Sequence, residues 1–267
     1  MPTRFFDPPT PRLFGHRGFP ARYPENTMAS FRAAVEAGVE YLEFDVWATR
    51  DGEIVVHHDA SLARMCAVER RVPDLALEEL RSLPICRTSS GKQLPRDDNT
   101  PAEYVPTLRQ VLEELSETFM TIEIKPTDFP VERFLREHIL DSEAQERVLL
   151  ASSQDVVLQK IRSTTEEIPT SFAYGEIRSF FQWLDGGRKA PYHPPGQALQ
   201  IPPRKGLRRL VTKKSVQAVH DLGLEMHVWT VNRAGQMRGL LDLGVDGIMS
   251  DNPQLLKTVA ADHSGAV

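Results

Sequence analysis

Short apolar runs alternate with helix-period segments from one end of this chain to the other, and that alternation leaves few folds open. An apolar run at Leu13–Phe14 leads into a turn over Gly15–Gly18. Met28, Phe31 and Val35 then share one helical face, with Asn26 as its expected cap and Gly38 as its end. Strands are expected over 40–48 and 53–58, joined by the Asp51-Gly52 turn. The later series reads as helix 107–117, strand 119–125, helix 131–140, strand 147–152, helix 155–163, strand 169–174 and helix 176–184. After a Gly/Pro-rich loop come strand 198–202, helix 213–222, strand 224–231, helix 234–243 and strand 245–250. Without the arm at 53–58, that makes eight strands, nearly all followed by a helix. The expected fold is therefore α/β, a (β/α)8 TIM barrel, and 267 residues is an ordinary length for one. Residues of roughly 60–105 lack clear periodicity and read as a small insertion after the hairpin, with a short helix near 76–83. The whole of 1–267 is expected to be one domain. A doubly wound open sheet is the other option, but GHRGFP is not its G-x-G-x-x-G phosphate turn.

Composition narrows the function. Hydrophobic residues make up 40% and charged residues 26%, which suits a globular chain with a sizeable core. The net charge of −5 does not advertise binding to nucleic acid or to anionic membranes, so any phosphate must be held in a local pocket. No apolar run approaches the ~20 residues of a membrane span. The opening MPTRFFDPPTPRLF has Pro and Asp where a signal peptide would be apolar, and a cytoplasmic location is expected. Cys66 and Cys86 form neither a metal-ligand spacing nor a disulfide framework and read as free thiols.

The chemistry gathers at predicted strand ends, where a barrel builds its active site. In EFDVWATRDGEIVVHHD, Glu43 and Asp45 are two apart and face the same way, roughly 7 Å apart along the strand. Two anions buried together are costly unless a cation joins them. In TIEIK, Glu123 supplies a third carboxylate and Lys125 a cation on the same face. Three carboxylates are a hard-oxygen set, suited to one divalent cation, Mg²⁺ or Ca²⁺, rather than Zn²⁺. His16 and Arg17 stand where the first strand meets its loop, and His58 ends the second hairpin arm. Arg17 offers two-pronged donation to a phosphate. His16 titrates near neutrality and could take or give a proton, and His58 could be its acid/base partner, with Asp59 placed to orient it.

Plainer readings apply to several neighbours. His57 reads as facing the other side of its strand, in a structural role. Glu25 and Asn26 read as a helix start, and Asp246 and Asp251 as turn formers. Trp229 in HVWTVN suits either the core or a pocket wall. What carries weight is joint occurrence: polar clusters at the ends of several predicted strands.

The chain resembles the glycerophosphodiester phosphodiesterase family. The resemblance lies in GHRGFPARYPENTMASFRAAVEAGVEYLEFDVWATRDGEIVVHHD, followed in order by VPTLRQVLEEL, IEIKP, VWTVN and LGVDGIMSDNP. The stretch 176–210 carries little of it. The resemblance implies a (β/α)8 barrel that hydrolyses glycerophosphodiesters to glycerol 3-phosphate and an alcohol. It implies His16 and His58 as the catalytic pair, and Glu43, Asp45 and Glu123 as metal ligands. Arg17 and Lys125 would bind substrate; Trp229 as a pocket wall on the substrate side is the reading of its place near a strand end. It favours a two-step path in which the neighbouring glycerol hydroxyl attacks first. The expected partner is a small glycerophosphodiester, with no nucleic acid and no membrane span. A lysophospholipase D-like lipid phosphodiesterase is the alternative, and it would need an apolar channel or surface at the barrel mouth. The run Phe180–Leu184 could supply one, or could be a core helix face. A non-catalytic phosphate-binding barrel is a third reading, and it predicts loss of one or more of these charged positions.

Overall fold

The computed structural model describes residues 3–94, 102–125 and 130–265. β1 (Arg12–His16) leads into α1 (Met28–Glu36), β2 (Tyr41–Ala48) and the short β3 (Ile54–Val56). Two short helices follow, α2 (Ala63–Cys66) and α3 (Leu77–Arg81). Next come α4 (Leu108–Glu114), β4 (Phe119–Ile124) and α5 (Val131–Phe134), continued by a wider helical turn over Leu135–Leu140. β5 (Val148–Ala151), α6 (Asp155–Thr164) and α7 (Tyr174–Asp185) precede β6 (Ala198–Ile201). A small hairpin, β7 (Arg204–Lys205) and β8 (Arg208–Arg209), lies between β6 and α8 (Lys213–His220). β9 (Glu225–Val228), α9 (Ala234–Leu241), β10 (Gly247–Ser250) and α10 (Pro253–Ser264) complete the series.

The parallel sheet runs β5-β4-β2-β1-β10-β9-β6, with β3 antiparallel on β2. The stretch expected as strand 169–174 closes the ring. Thr170 bridges in parallel to Leu150 of β5, and Ser171 to Ala198 of β6. This eighth stave is short because Pro169 has no N–H to give and α7 starts at Tyr174. The fold is thus a TIM-type α/β barrel.

Alternation along the strands sorts the side chains. Leu42, Phe44 and Val46 of β2 and Met120, Ile122 and Ile124 of β4 pack outward with α1 and α4. The opposite face turns into the barrel. Phe14, Tyr41, Leu149, Ala198 and Met249, from five strands, fill its floor beneath Phe5. The same rows that begin with Phe14 and Tyr41 end, two and four residues on, with His16, Glu43 and Asp45. The floor also holds Arg12, whose guanidinium donates to Glu225 Oε2 at 2.7 Å and to Tyr41 Oη at 2.7 Å.

Three local findings differ from expectation. Thr27, not Asn26, caps α1, accepting the Ser30 N–H at 3.1 Å. Asn26 itself sits at φ 57° and turns its side chain elsewhere. α10 lies beyond the expected series; Asn252 caps it and Pro253 opens it, a signal present in SDNP. The insertion has a core of its own, where Leu62, Met65, Val72, Leu75 and Leu80 pack on Trp47 and Val55 of the hairpin. Its residues 95–101 lie outside the described residues. No helix among the described residues is long and apolar enough to cross a membrane.

Candidate active site

β1, β2 and β4 stand side by side and carry their inward residues to the mouth in register. His16 lies opposite Glu43, and Asp45 opposite Glu123. One oxygen each from Glu43, Asp45 and Glu123 lies within 4.8 Å of the others. Glu43 and Asp45 are buried, so their charges need partners. Lys125 Nζ lies 2.7 Å from Asp45 Oδ1 and 3.0 Å from Glu123 Oε2. Arg17 Nε is 3.2 Å from Asp45 Oδ2, and Asn26 Nδ2 donates to the same oxygen at 3.2 Å.

Glu43 is served less well. Its Oε2 is buried without a hydrogen bond, and His16 Nε2 stands 3.7 Å away. Burial pushes the Glu43 pKa up, and the charges of Asp45 and Glu123 add to this, against His16 and Arg17. Asp45 goes the other way. Burial opposes its ionisation, but Lys125 first and Arg17 next hold it below the usual carboxylate range. Three converging carboxylates, with Glu43 Oε2 buried and unbonded, fit a divalent cation with hard-oxygen preference.

Both histidines carry a carboxylate at Nδ1. His16 Nδ1 is 2.7 Å from Asp251 Oδ1, and His58 Nδ1 is 2.7 Å from Asp59 Oδ1. A carboxylate only accepts, so each Nδ1 carries the proton and each Nε2 is left for chemistry. His16 Nε2 faces Glu43 and Thr230. Burial disfavours the imidazolium of His16, but Glu43 and Asp251 outweigh it and raise its pKa. Asp251 is held in turn by Asn232, which donates to Oδ2 at 2.6 Å and accepts the Asp251 N–H at 2.9 Å.

On the other side, Asp59 Oδ2 accepts from Arg64 Nε at 2.6 Å. Arg64 also donates to Glu25 Oε1 at 2.7 Å, which takes Arg17 at 3.0 Å. Arg64 belongs to the insertion, so the insertion ties His58 to Arg17.

His16, Arg17, Glu43, His58, Glu123, Lys125 and Trp229 line one cleft of about 340 Å³. Asp45, 1% exposed, lies behind them. The eight candidate residues therefore meet in one place. His57 does not line the cleft; it is buried, with Nδ1 2.6 Å from the Asp59 carbonyl. Sequence reasoning missed Asp251, read as a turn former, and Glu25 and Asn26, read as a helix start. Asp251 directly follows β10, and Glu25 and Asn26 lie in the loop from β1 to α1; a place between strand and helix at the mouth was the signal available.

A match to known proteins agrees with this geometry. Residues 16–255 match the family described as the glycerophosphoryl diester phosphodiesterase family. The chain is 30% identical over 253 residues to a glycerophosphodiester phosphodiesterase of Bacillus altitudinis, covering 91% of this chain and 95% of the relative. It is 28% identical over 249 residues to one from Caldanaerobacter subterraneus, covering 91% and 95%. Among solved structures, an Oleispira antarctica phosphodiesterase in complex with the product sn-glycerol-3-phosphate is similar in fold. Its TM-score is 0.72 at 22% identity, covering 94% of this chain and 97% of that one.

Proposed function

The chain belongs to the glycerophosphoryl diester phosphodiesterase family, and we propose that it hydrolyses glycerophosphodiesters to sn-glycerol 3-phosphate and an alcohol at the cleft between His16 and His58. The observation that carries this reading is the meeting of three carboxylates, two oriented histidines and two cations in one cleft. Glu43, Asp45 and Glu123 would hold one divalent cation, Mg²⁺ or Ca²⁺. When bound, it would neutralise charge on the phosphoryl oxygens and lower the pKa of a nearby hydroxyl.

The chain's own residues supply the rest. Arg17 and Lys125 bind the phosphate and oppose the charge that builds in the transition state. One histidine takes the proton of the attacking oxygen through Nε2, and the other protonates the departing alkoxide. The glycerol hydroxyl next to the phosphorylated carbon is the first nucleophile, since attachment gives it a large effective concentration. A cyclic phosphate results, and water opens it with the histidine roles exchanged. Trp229 walls the cleft toward the leaving alcohol.

The test is a panel of soluble glycerophosphodiesters assayed with and without chelator. Turnover that chelator abolishes and Mg²⁺ or Ca²⁺ restores is expected. Full turnover by metal-free protein would remove the cation from the scheme. An analogue with that hydroxyl methylated should bind and barely turn over; normal turnover would leave water as the nucleophile.

One observation favours a second substrate reading, that of a lysophospholipase D. An apolar groove of about 610 Å³ adjoins the cleft and shares Tyr174, Ile177, Gln200 and Trp229 with it. Phe181 lines that groove and is at the same time buried in the core with Phe180 and Leu184 of the same helix. Comparing glycerophosphocholine with its lysolipid separates the two readings.

A further inference from the structure

The β7–β8 hairpin follows the C-terminal end of β6 and so stands at the barrel mouth. Its sequence is RKGLRR, and all of Arg204–Arg209 is exposed. Gly206, at φ 58°, makes the turn. Leu207 beside it is 98% exposed, far more than any other large apolar side chain described. A leucine held out at a tip gains nothing for the fold.

The charge around it is one-sided. Between Asp185 and Asp221 the chain has no acidic residue, yet eight of its 32 basic residues lie there. This contrasts with a net charge of −5, which hides the patch. Two hairpin cations face the apolar groove: Lys205 lies over the Tyr174 ring at 4.3 Å and Arg208 over the Phe181 ring at 5.1 Å. Arg208 is also paired with Asp185 at 2.8 Å. Arg204 and Arg209 remain to face outward. Basic side chains around a projecting apolar tip match an anionic lipid surface, with charge for the headgroups and a leucine for the layer beneath. Tyr174 and Trp229, both exposed, line the groove beside them.

We propose that this hairpin docks the barrel mouth on an anionic bilayer surface, with Leu207 entering the headgroup layer. The groove then takes the single apolar chain of a phosphodiester drawn from that surface and passes its phosphate to the cleft through the shared wall at Trp229. The second half rests on the phosphodiesterase reading; the docking does not.

The experiment is co-sedimentation of the full chain with vesicles of phosphatidylcholine alone or mixed with phosphatidylglycerol, at ~0.1 M salt, where charges beyond about 10 Å are screened. Binding to the mixed vesicles and little to the neutral ones is expected. Each cation near an anionic surface strengthens binding about fivefold, so R204Q/R209Q should weaken it about twenty-fivefold. L207S should weaken it several-fold. Neither variant touches the cleft or the groove, so both should hydrolyse soluble glycerophosphocholine at the normal rate. Both should lose turnover of a lysoglycerophospholipid presented on mixed vesicles. Equal binding to neutral vesicles, no binding to either, or unchanged binding by both variants would overturn the docking. So would wild-type binding to a single-stranded oligonucleotide without binding to vesicles. Docking with normal turnover of soluble substrate but none of the lysolipid would sink only the groove's role. Loss of all turnover in docked wild-type protein would instead sink the phosphodiesterase reading.

Discussion

His16 and Asp251 meet across the barrel mouth, Nδ1 to Oδ1 at 2.7 Å, although 235 positions separate them in the chain. β1 and β10 are neighbours in the sheet, which brings the two strand ends together. The contact fixes which imidazole nitrogen carries the proton and turns Nε2 toward Glu43. Asn232 grips the far side of the carboxylate, so Asp251 is itself held in place.

Replacing Asp251 with Asn keeps the size but offers Nδ1 an amide that can donate, which favours the wrong tautomer. Asp251→Asn should lower kcat by about 10²–10⁴-fold while KM stays within a few-fold. Thermal unfolding should hardly change, since the residue is a third exposed. Steady-state kinetics with a soluble glycerophosphodiester measures it. Unchanged kcat would show that His16 needs no such partner.

His57 and His58 are adjacent yet differ in kind. His58 lines the cleft with its Nδ1 on Asp59. His57 is 2% exposed, and burial keeps its pKa low. His58→Ala and His16→Ala should each cost about 10²–10⁴-fold in kcat. His57→Ala should keep kcat within a few-fold and instead lose about 1–3 kcal/mol of stability by leaving a void beside the hairpin. Urea unfolding beside kinetics separates them. An equal loss of kcat in His57→Ala would reverse the assignment.

The barrel and most of its mouth were legible because they are written in short-range patterns. Glu43 and Asp45 stand out as acids at alternate positions of an otherwise apolar strand, and the row they belong to begins with Tyr41 at the floor. The eighth stave was legible from its place in the alternation of strands and helices, although only Thr170 and Ser171 pair in it. Asp251 was not, because an aspartate before Asn-Pro has a sufficient local explanation as a turn. Its partner is fixed only by closure of the barrel. Asn26 misled for the same reason: a good capping residue stands one position before the true cap, Thr27, and its side chain answers to Asp45. The link from Arg64 to Glu25 was beyond reach, since the insertion has no period to place it.

At the opposite end of the barrel, the buried Arg12, 2% exposed, pairs with the half-buried Glu225, whose oxygens lie at 2.7 and 2.6 Å. Arg12→Ala should cost about 3 kcal/mol, because it leaves Glu225 with His227 alone and takes the donor away from the Phe6 and Pro8 carbonyls. Burial works against the Glu225 charge, but His227 and Arg12 hold its pKa below the usual value. A lowered carboxylate stabilises the fold above its unfolded pKa, and that stability is lost as pH falls through the folded value. Wild-type stability should therefore drop in acid more steeply than that of Glu225→Gln. Urea midpoints from pH 7 to pH 3 test this; parallel curves would show that the pair contributes no pH-dependent stability.

The cation binding proposed for the acid cluster would be sensitive to protons at an unusual place. Glu43 is pushed up by burial and by Asp45 and Glu123, so without a cation it holds a proton at a higher pH than an exposed glutamate would. Its buried, unbonded Oε2 is where that proton finds least competition. A divalent cation held there would have to displace it, and its binding would release a proton. The sign follows: affinity falls as pH drops from neutrality, well before the ordinary carboxylate range near ~4.3 is reached. Asp45, held low by Lys125 and Arg17 despite its burial, stays ionised throughout and adds no pH dependence in that window. Calorimetric titration of chelator-treated protein with Mg²⁺ or Ca²⁺ in buffers of different ionisation enthalpy counts the protons released. Release close to one per cation just below neutrality is expected for the wild type, and none for Glu43→Gln, which also binds more weakly. Binding that is flat from pH 7 to pH 5 would mean that Glu43 is already ionised, or is not a ligand.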